Sequence, residues 1–361
     1  MRLWLNDCTV PATAQLEETI KSAARAAGFD LCGIAPVTPN SELEYFPQWL
    51  AAGHGGEMKY LESRNDSGAL KRSSLENAAP WAQSVVVCAI NYNSERPYST
   101  EYQDKTRGWI SRYAWSQTDY HDIVLGRLRA LEAQIKEHSG SREFRSWSYV
   151  DTGPIVERVL AKYAGIGWQG KNTCVINQEM GSWLFLGVIL TSLELTPDLP
   201  APDRCGSCTR CLDACPTNAF IGPYKLDATR CISYLTIEKR GDIPGELRAG
   251  MGNHLFGCDI CQDVCPWNRE APSSHAAEFR PRNELVNPAL EWLAEMSQEK
   301  FRTTFKASPI KRAKYSGLRR NAAVAMGNSA NRKFIPQLKK LSQDEDANVA
   351  EHARWALEQL E

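Results

Sequence analysis

The sequence lacks any segment suited to a lipid bilayer or to export. It has no run of about 18 apolar residues, and its start, MRLWLNDCTVP, does not join a basic stretch to an apolar one. We therefore expect no transmembrane helix, no membrane partner and a cytoplasmic location. Disulfides are rare in a reducing cytoplasm, so the 12 cysteines among the 361 residues are expected to be metal ligands or buried thiols.

Acidic residues are missing from one long stretch of the chain. Residues 300–340 contain twelve Lys or Arg residues and no Asp or Glu, although the formal net charge of the whole chain is only −1. Such a stretch attracts polyanions, and Phe301, Phe305 and Tyr315 are interleaved where they can stack on unpaired bases. We expect a nucleic-acid-binding surface, with an acidic protein partner as the alternative.

The pattern of apolar residues divides the chain into three segments. Residues 1–197 alternate strand-like and helix-like stretches and predict an α/β domain. Predicted helices cover residues 14–27, 120–138 and 155–164, and predicted strands lie in GFDLCGIAPV, at residues 85–90, in SWSYV and at residues 182–190. A proline-rich boundary, LTPDLPAPDR, leads into residues 198–280. Residues 281–361 are helical and carry a weak 31-residue repeat, typical of a HEAT-type solenoid.

Eight cysteines of the middle segment form a ferredoxin-like pattern. CGSCTRCLDACP has the C-x2-C-x2-C-x3-C-P spacing of [4Fe–4S] ligands, and CDICQDVCP repeats its end without a leading cysteine. Zinc ribbons use paired C-x2-C motifs instead. In two-cluster ferredoxins the fourth cysteine of a run serves the other cluster, so counting gives one set of Cys205, Cys208, Cys211 and Cys265 and a second of Cys215, Cys231, Cys258 and Cys261. A structural role is expected for the scattered Cys8, Cys32, Cys88 and Cys174.

Two other segments nearly match known binding motifs but each lacks a required residue. GIGWQGKN nearly matches a phosphate-binding loop, but Asn172 replaces the Ser or Thr that holds Mg²⁺, and the segment follows a helix instead of a strand. DYHDIVLG nearly matches the D-x-H-x-x-G stretch whose histidine binds cobalt, but Val124 replaces the glycine. We therefore expect neither nucleotide binding nor a cobalt ligand at His121.

Asp151 stands in VDTGP, between a predicted strand and a predicted helix. One interpretation is a turn or helix-entry residue, with Pro154 near the first helical position. The other is an acid at the end of a buried strand, where α/β enzymes place catalytic groups. The pattern alone leaves both open.

The chain closely resembles the epoxyqueuosine reductase family over nearly its full length. The resemblance is carried by ISRYAWSQTDYH, SYVDTGPIVERVLAKYAGIGWQGKNT, GSWLFLGVIL, GCDICQDVCPWN, IKRAKYSGLRRNA and the eight-cysteine pattern. It implies an α/β (α+β), nitroreductase-like cobalamin-binding domain over residues 1–197, a two-cluster ferredoxin-like domain over 198–280, and a C-terminal α-helical HEAT-like domain that binds tRNA over 281–361.

The same resemblance implies a reaction and its residues. Cobalamin fed by two [4Fe–4S] clusters would reduce epoxyqueuosine to queuosine at the tRNA wobble position, with Asp151 as proton donor. An external donor such as a flavodoxin or ferredoxin would supply electrons to a monomer. The implied cobalamin contacts, besides Asp151, are Arg72, Lys171, Asn172, Thr173, Ser233 and Asp259. The implied tRNA contacts are Lys311, Arg312, Lys314, Arg319 and Arg320.

Two other functions remain open from the sequence. A small-molecule reductive dehalogenase would pair similar domains, but such enzymes typically carry a twin-arginine export signal and need no basic helical tail. A non-catalytic iron–sulfur electron-transfer or RNA-binding module would bind no corrinoid.

Overall fold

The computed structural model describes residues 12–95 and 97–361, so Cys8 lies outside the described residues. The strands are β1 (Leu31–Pro36), β2 (Ser84–Asn91), β3 (Trp109–Ile110), β4 (Ser146–Tyr149), β5 (Trp168–Gln169), β6 (Val175–Ile176), β7 (Leu184–Thr191), β8 (Phe220–Gly222), β9 (Lys225–Leu226) and β10 (His254–Phe256). The α-helices are α1 (Ala12–Ala26), α2 (Ser41–Glu44), α3 (Phe46–Ala51), α4 (Leu75–Ala78), α5 (Tyr120–Ser139), α6 (Glu157–Tyr163), α7 (Arg210–Asp213), α8 (Ile232–Ile237), α9 (Gly245–Arg248), α10 (Ile260–Asp263), α11 (Leu290–Ala294), α12 (Gln298–Thr304), α13 (Lys314–Asn328), α14 (Ile335–Leu341) and α15 (Ala347–Leu360).

Four strands form the main sheet, in the order β1–β2–β7–β4, and every neighbouring pair is antiparallel. Successive side chains of a strand point to opposite faces, and here both faces are covered. One core packs residues 86, 88 and 90 of β2 against α1 and α5, and the other packs residues 85, 87 and 89 against α6. Because helices cover both faces of the sheet, β2 is buried along its whole length. The predicted covered strand is therefore confirmed.

Helix α5 has a cap at each end. Asp119 caps the helix by accepting a hydrogen bond from the His121 backbone N–H, and Gly140 ends it in the left-handed conformation. The predicted helix over residues 120–138 is thereby confirmed. Within the described part of the chain, no helix has the length and apolar character needed to span a bilayer.

One hydrophobic core joins all three predicted segments. Trp109 and Trp115 from the first segment pack with Leu255 and Phe256 from the second and with the helices after residue 285. Strand β3 also pairs with β10 in parallel. The cluster-binding and helical segments are therefore docked on the first segment by shared apolar packing, and the domain limits stay a prediction.

The two stretches related by the 31-residue period are α13 and α15, which pack against each other. Their contact is close because Gly327 has no side chain: a Cβ there would lie 2.8 Å from the Cα of Ala356. The small residues that the repeat shares are therefore packing residues. The HEAT-like nature of this segment stays a prediction.

Candidate active site and cluster ligands

The first predicted set of thiols is gathered around α7 and the end of α10. Burial and the charges of Cys205 and Cys208 raise the pKa of the Cys211 thiol to about 11. Burial and the charges of Cys211 and Cys205 raise the pKa of Cys265 to about 11 as well. Such mutual effects require close spacing, so the structure brings these four cysteines together as the spacing predicted.

The second set is gathered in the same way. Burial and the charges of Cys231 and Cys215 raise the pKa of Cys258 well above its usual value. The remote Cys231 joins through the start of α8, where backbone N–H groups of Ser233 and Tyr234 donate to its thiol. The structure therefore places Cys231 beside Cys215 and Cys258, and its role as a ligand stays a prediction.

The arrangement of the thiols fits clusters better than single zinc ions. Four thiolates on one Zn²⁺, with Zn–S bonds of about 2.3 Å, lie within about 4 Å of one another. Among the described residues, no three cysteines have thiols that all lie within 4.8 Å of one another. The wider spacing of these thiols suits a larger metal group with four iron atoms.

The segment that resembles a phosphate-binding loop, GIGWQGKN, includes β5 and enters the turn before β6. Its last two residues contact the loops of both cysteine sets. Lys171 Nζ donates to the carbonyls of Gly206 (2.7 Å) and Cys208 (3.0 Å) in the first set's loop. Asn172 Nδ2 donates to the Cys261 carbonyl (3.3 Å) in the second. Lys171 and Asn172 thus support the cluster loops directly, which residue spacing had not revealed.

Asp151 lies in the loop after β4, two residues beyond the end of the strand, and is exposed to solvent. Its φ of 57° lies in the left-handed region that most residues with a side chain avoid. The Tyr120 hydroxyl, at the start of α5, donates a hydrogen bond to Asp151 Oδ2. Burial and the charge of Asp151 raise the pKa of Tyr120 well above 10, so this hydroxyl keeps its proton and remains the donor.

Two residues fix the loop that carries Asp151. Gly153 lies against the ring of Tyr149, and a Cβ at this position would come within 2.6 Å of the ring. The buried Arg72 donates to the Gly153 carbonyl (2.8 Å) and to the Tyr60 carbonyl (2.8 Å). Arg72 therefore acts on the loop, and a direct contact with a cofactor stays a prediction.

The first turn of α6 places a buried acid and an accessible cation beside Asp151. Burial, with the charge of Asp151, raises the pKa of Glu157 to about 7, and its Oε1 has no hydrogen-bond partner among the described residues. Arg158 lies next to Asp151, Glu157 and Cys174, whose charges raise its pKa against the opposing effect of burial. Its side chain is nevertheless exposed. Arg158 is therefore an accessible cation that interacts with both Asp151 and Cys174.

Thr173 and Ser233 approach this region, but Asp259 requires a correction. The Thr173 carbonyl accepts from Arg158 Nη1 (3.3 Å), and Ser233 is half-buried at the start of α8. The Asp259 carboxylate is 1% exposed and accepts from Trp109 Nε1 (3.0 Å), the Ser111 hydroxyl and the Arg112 backbone N–H (2.8 Å). Its side chain therefore joins the cluster segment to the first segment and is unavailable to a cofactor.

Two cations of the helical segment lie beside the Asp151 loop. Lys311 Nζ is 3.1 Å from Asp119, the residue before Tyr120. Hydrogen bonds from His121 and Lys311 outweigh burial and hold the pKa of Asp119 at about 2. Arg312 stacks over the ring of Tyr60 at 5.3 Å. Both cations remain half-exposed or more, so they are accessible at the mouth of the site.

The other predicted tRNA contacts are placed differently. Lys314 is exposed at the start of α13. Arg319 pairs with Asp344 at 2.5 Å and lies over the Tyr315 ring. The structure does not fit the predicted tRNA contact of Arg320. This residue is 1% exposed and donates to the carbonyls of Leu235, Lys239 and Gly241. This arginine anchors α13 to the cluster segment and cannot reach a phosphate.

Sequence reasoning missed four residues of the site: Tyr120, Glu157, Arg158 and Cys174. Tyr120 and Arg158 lie on helices whose patterns predict only apolar faces. Cys174 was grouped with the scattered thiols, yet Asn172 links it to Cys261: Oδ1 of Asn172 accepts from the Cys174 backbone N–H (3.2 Å), and its Nδ2 donates to the Cys261 carbonyl (3.3 Å). Its position two residues after the Lys171–Asn172 pair was the available signal.

Comparisons with known proteins agree with this site. Residues 204–268, which include all eight clustered cysteines, match a family described as "4Fe-4S double cluster binding domain". Two [4Fe–4S] clusters are therefore its cofactors. Residues 72–152, which end just past Asp151, match "Epoxyqueuosine reductase QueG, DUF1730".

Full-length relatives extend the match. The chain is 40% identical to an epoxyqueuosine reductase of Pseudomonas aeruginosa (96% of this chain, 95% of the relative). It is 37% identical to that of Escherichia coli (96% and 89%).

Solved structures agree. An epoxyqueuosine reductase with an epoxyqueuosine-modified tRNA stem loop superposes with a TM-score of 0.85 at 32% identity (96% and 91% covered). The enzyme of Bacillus subtilis, with its catalytic aspartate loop swung out of the active site, gives a TM-score of 0.84 at 31% identity (96% and 91%). The chain belongs to the epoxyqueuosine reductase family.

Proposed function

We propose that this protein reduces epoxyqueuosine to queuosine at the wobble position of tRNA. The observation that carries the proposal is the position of Asp151. Its carboxyl group is bound by Tyr120, whose neighbour Asp119 pairs with the exposed Lys311, and on its other side it interacts with Arg158, which also interacts with Cys174. A group there is accessible to a polyanionic substrate and lies near the metal centres.

Cobalamin is the further cofactor that the family resemblance implies, and exposed polar groups beside the second cysteine set are suited to hold it. These are Arg158, the carboxyl of Asp151 and the carbonyl of Thr173, which accepts from Arg158. Reduced cobalamin bound there would supply electrons to the strained epoxide carbon. Arg158 and the carbonyl of Thr173 would offer it polar contacts.

The two thiol sets suggest the direction of electron transfer. Gly206 and Ser207, in the loop of the first set, are exposed. Burial raises the pKa of Cys231 and Cys258 in the second set. The Cys261 carbonyl accepts from Asn172, in the same turn as the Thr173 carbonyl that accepts from Arg158. We therefore assign electron entry to the first cluster, from an external flavodoxin or ferredoxin, and electron exit to the second.

Asp151 and Tyr120 would handle the proton. Removing the epoxide oxygen as water consumes two electrons and two protons and leaves a carbon–carbon double bond. Asp151 would deliver a proton to the leaving oxygen, as general acids do. The Tyr120 hydroxyl orients the carboxyl group and stabilises the carboxylate that remains. A relative with its catalytic aspartate loop swung out supports a mobile acid on this loop.

The tRNA would lie on the surface around Lys311, Arg312 and Lys314. Tyr60, which is 46% exposed and lies beneath Arg312, offers a ring on which an unpaired base can stack. A neighbouring groove of about 450 Å³ is lined by Lys300, Lys306 and Arg282 among others and extends the cationic surface. A relative solved with a modified stem loop supports this substrate class.

The test uses anaerobically purified protein carrying both clusters and cobalamin, a strong chemical reductant, and tRNA bearing epoxyqueuosine. Nucleoside mass spectrometry should show queuosine, and protein without cobalamin should form none. Absence of queuosine with all cofactors loaded and tRNA bound would refute the proposal. Reduction of halogenated aromatics at a comparable rate would favour the dehalogenase alternative.

A further inference from the structure

A row of aromatic rings follows the edge strand β4 toward the loop that carries Asp151. Trp147, which is 37% exposed, and Tyr149 lie on the same face of this strand, with ring centroids 6.3 Å apart. Trp81 joins the other end of the row, 5.1 Å from the Trp147 ring. The Tyr149 ring lies against Gly153, two residues after Asp151. The row therefore ends at the loop of the proposed acid.

Arg145 is held by two rings of this row. Its guanidinium carbon lies 4.3 Å from the centre of the Trp81 ring and 5.3 Å from that of Trp147, and the faces of such rings attract a cation. The side chain of Arg145 is nevertheless exposed. The row thus presents a positioned cation beside an exposed indole.

The row is continuous with the tRNA surface proposed above. Arg72 and Arg312 both lie over the ring of Tyr60, at 5.7 and 5.3 Å. Arg72 also donates to the Gly153 carbonyl (2.8 Å), and Gly153 lies against the ring of Tyr149. One series of contacts therefore joins the two surfaces across the loop of the proposed acid.

We propose that this face of β4 is a second nucleotide subsite, at which an unpaired nucleotide neighbouring the modified base stacks on Trp147 and places its phosphate against Arg145. The inference rests on the proposed function, because the modified base must reach Asp151. Unpaired bases of RNA loops stack on aromatic side chains, and arginine binds phosphate through charge-assisted hydrogen bonds. The exposed cation beside the ring complements a nucleotide better than it complements a second copy of this chain.

The test uses 2-aminopurine, a base whose fluorescence is quenched by stacking, at each unpaired position beside the modified base of a stem loop. The holoprotein should quench the probe at one position. Trp147→Ala should restore that fluorescence and weaken stem-loop binding at least about fivefold. Trp147→Phe keeps a ring in the same place and should retain most of the quenching and of the affinity.

The salt dependence of binding tests the phosphate contact. Arg145→Ala should reduce the slope of log affinity against log salt by about one. Arg129→Ala removes an equal charge from the exposed face of α5 and should leave the slope and the quenching native. Equal slopes in the two variants would overturn the phosphate contact.

Native quenching and affinity in Trp147→Ala would overturn the subsite, and so would equal losses in Trp147→Ala and Trp147→Phe, because altered packing would then be the cause. A native dimer that Trp147→Ala converts to a monomer would assign the face to a second copy of the chain instead. Native protein that binds the stem loop but forms no queuosine would contradict the proposed function. Queuosine formation without quenching at any position would contradict the subsite alone.

Discussion

The hydroxyl of Tyr120 donates a hydrogen bond to Asp151 Oδ2 across 31 residues of chain. This bond joins the first turn of α5 to the loop after β4. It holds the proposed acid in a left-handed conformation that an isolated loop would rarely keep. Asp119, one residue before Tyr120, pairs with Lys311. The start of α5 therefore links the cationic surface at Lys311 to the proposed acid Asp151.

Replacing Tyr120 with phenylalanine should slow catalysis without weakening tRNA binding. The ring would keep its stacking on Phe185, at 4.2 Å between centroids, while the hydrogen bond is lost. A hydrogen bond to a charged group contributes about 1.5 kcal/mol or more, which corresponds to about a tenfold loss in kcat. Because the pKa of Tyr120 is raised, the loss should be constant between about pH 6 and 9. An unchanged kcat, measured in single turnovers, would show that the bond does not orient the acid.

Lys311 and Arg312 should contribute to tRNA affinity through charge. The double variant Lys311→Ala/Arg312→Ala should bind the modified stem loop more weakly, and the slope of log affinity against log salt should fall by about one per cation removed. Arg129→Ala/Lys136→Ala, on the exposed face of α5, is the matched control of equal charge. Titrations at several salt concentrations measure both. Equal slopes in the two variants would place the tRNA elsewhere.

Tyr60 should contribute to base recognition. Tyr60→Phe keeps the ring and should bind as the native protein does, whereas Tyr60→Ala should raise KM because base stacking on an aromatic ring contributes about 1–3 kcal/mol. A KM for Tyr60→Ala within twofold of native would contradict a stacking role.

The buried carboxyl of Glu157 should make stability fall as pH rises. Its pKa is raised from 4.5 to about 7 in the folded protein. The folded state therefore binds more protons than the unfolded state between these values, and stability is lost progressively as pH rises from about 4.5 to about 7. The total loss is about 3 kcal/mol. Glu157→Gln removes this linkage, so its stability advantage over the native protein should grow from pH 5.5 and level off above about pH 7.5. A constant difference, measured by denaturant unfolding, would contradict the raised pKa.

The sequence predicted the features that are encoded locally. Cysteine spacing predicted the double-cluster segment, and the structure brings together the two sets of thiols that counting had predicted, including Cys231. The apolar pattern predicted β2 and α5 correctly, since burial on both faces and helical periodicity leave direct traces. The apolar pattern did not indicate that neighbouring strands of the sheet are antiparallel.

Roles that depend on contacts between distant segments were not predictable. Arg320 was assigned to tRNA because its neighbours are cationic, yet α13 buries it against carbonyls near residue 240. Asp259 was assigned to the cofactor, yet three donors from residues 109–112 saturate its carboxylate. Cys174 appeared scattered in the sequence because Cys261, to which Asn172 links it, is 87 residues away.

Single-turnover reduction by Asp151→Asn tests the central claim most directly. Asparagine keeps the shape of the side chain but cannot act as an acid, and loss of a general acid typically costs about 10²–10⁴ in rate. The variant should keep full iron and cobalamin content, bind tRNA normally and form queuosine at least about a hundredfold more slowly. Asp122→Asn, exposed on α5, should react at the native rate. Queuosine formation by Asp151→Asn at a near-native rate would contradict the account.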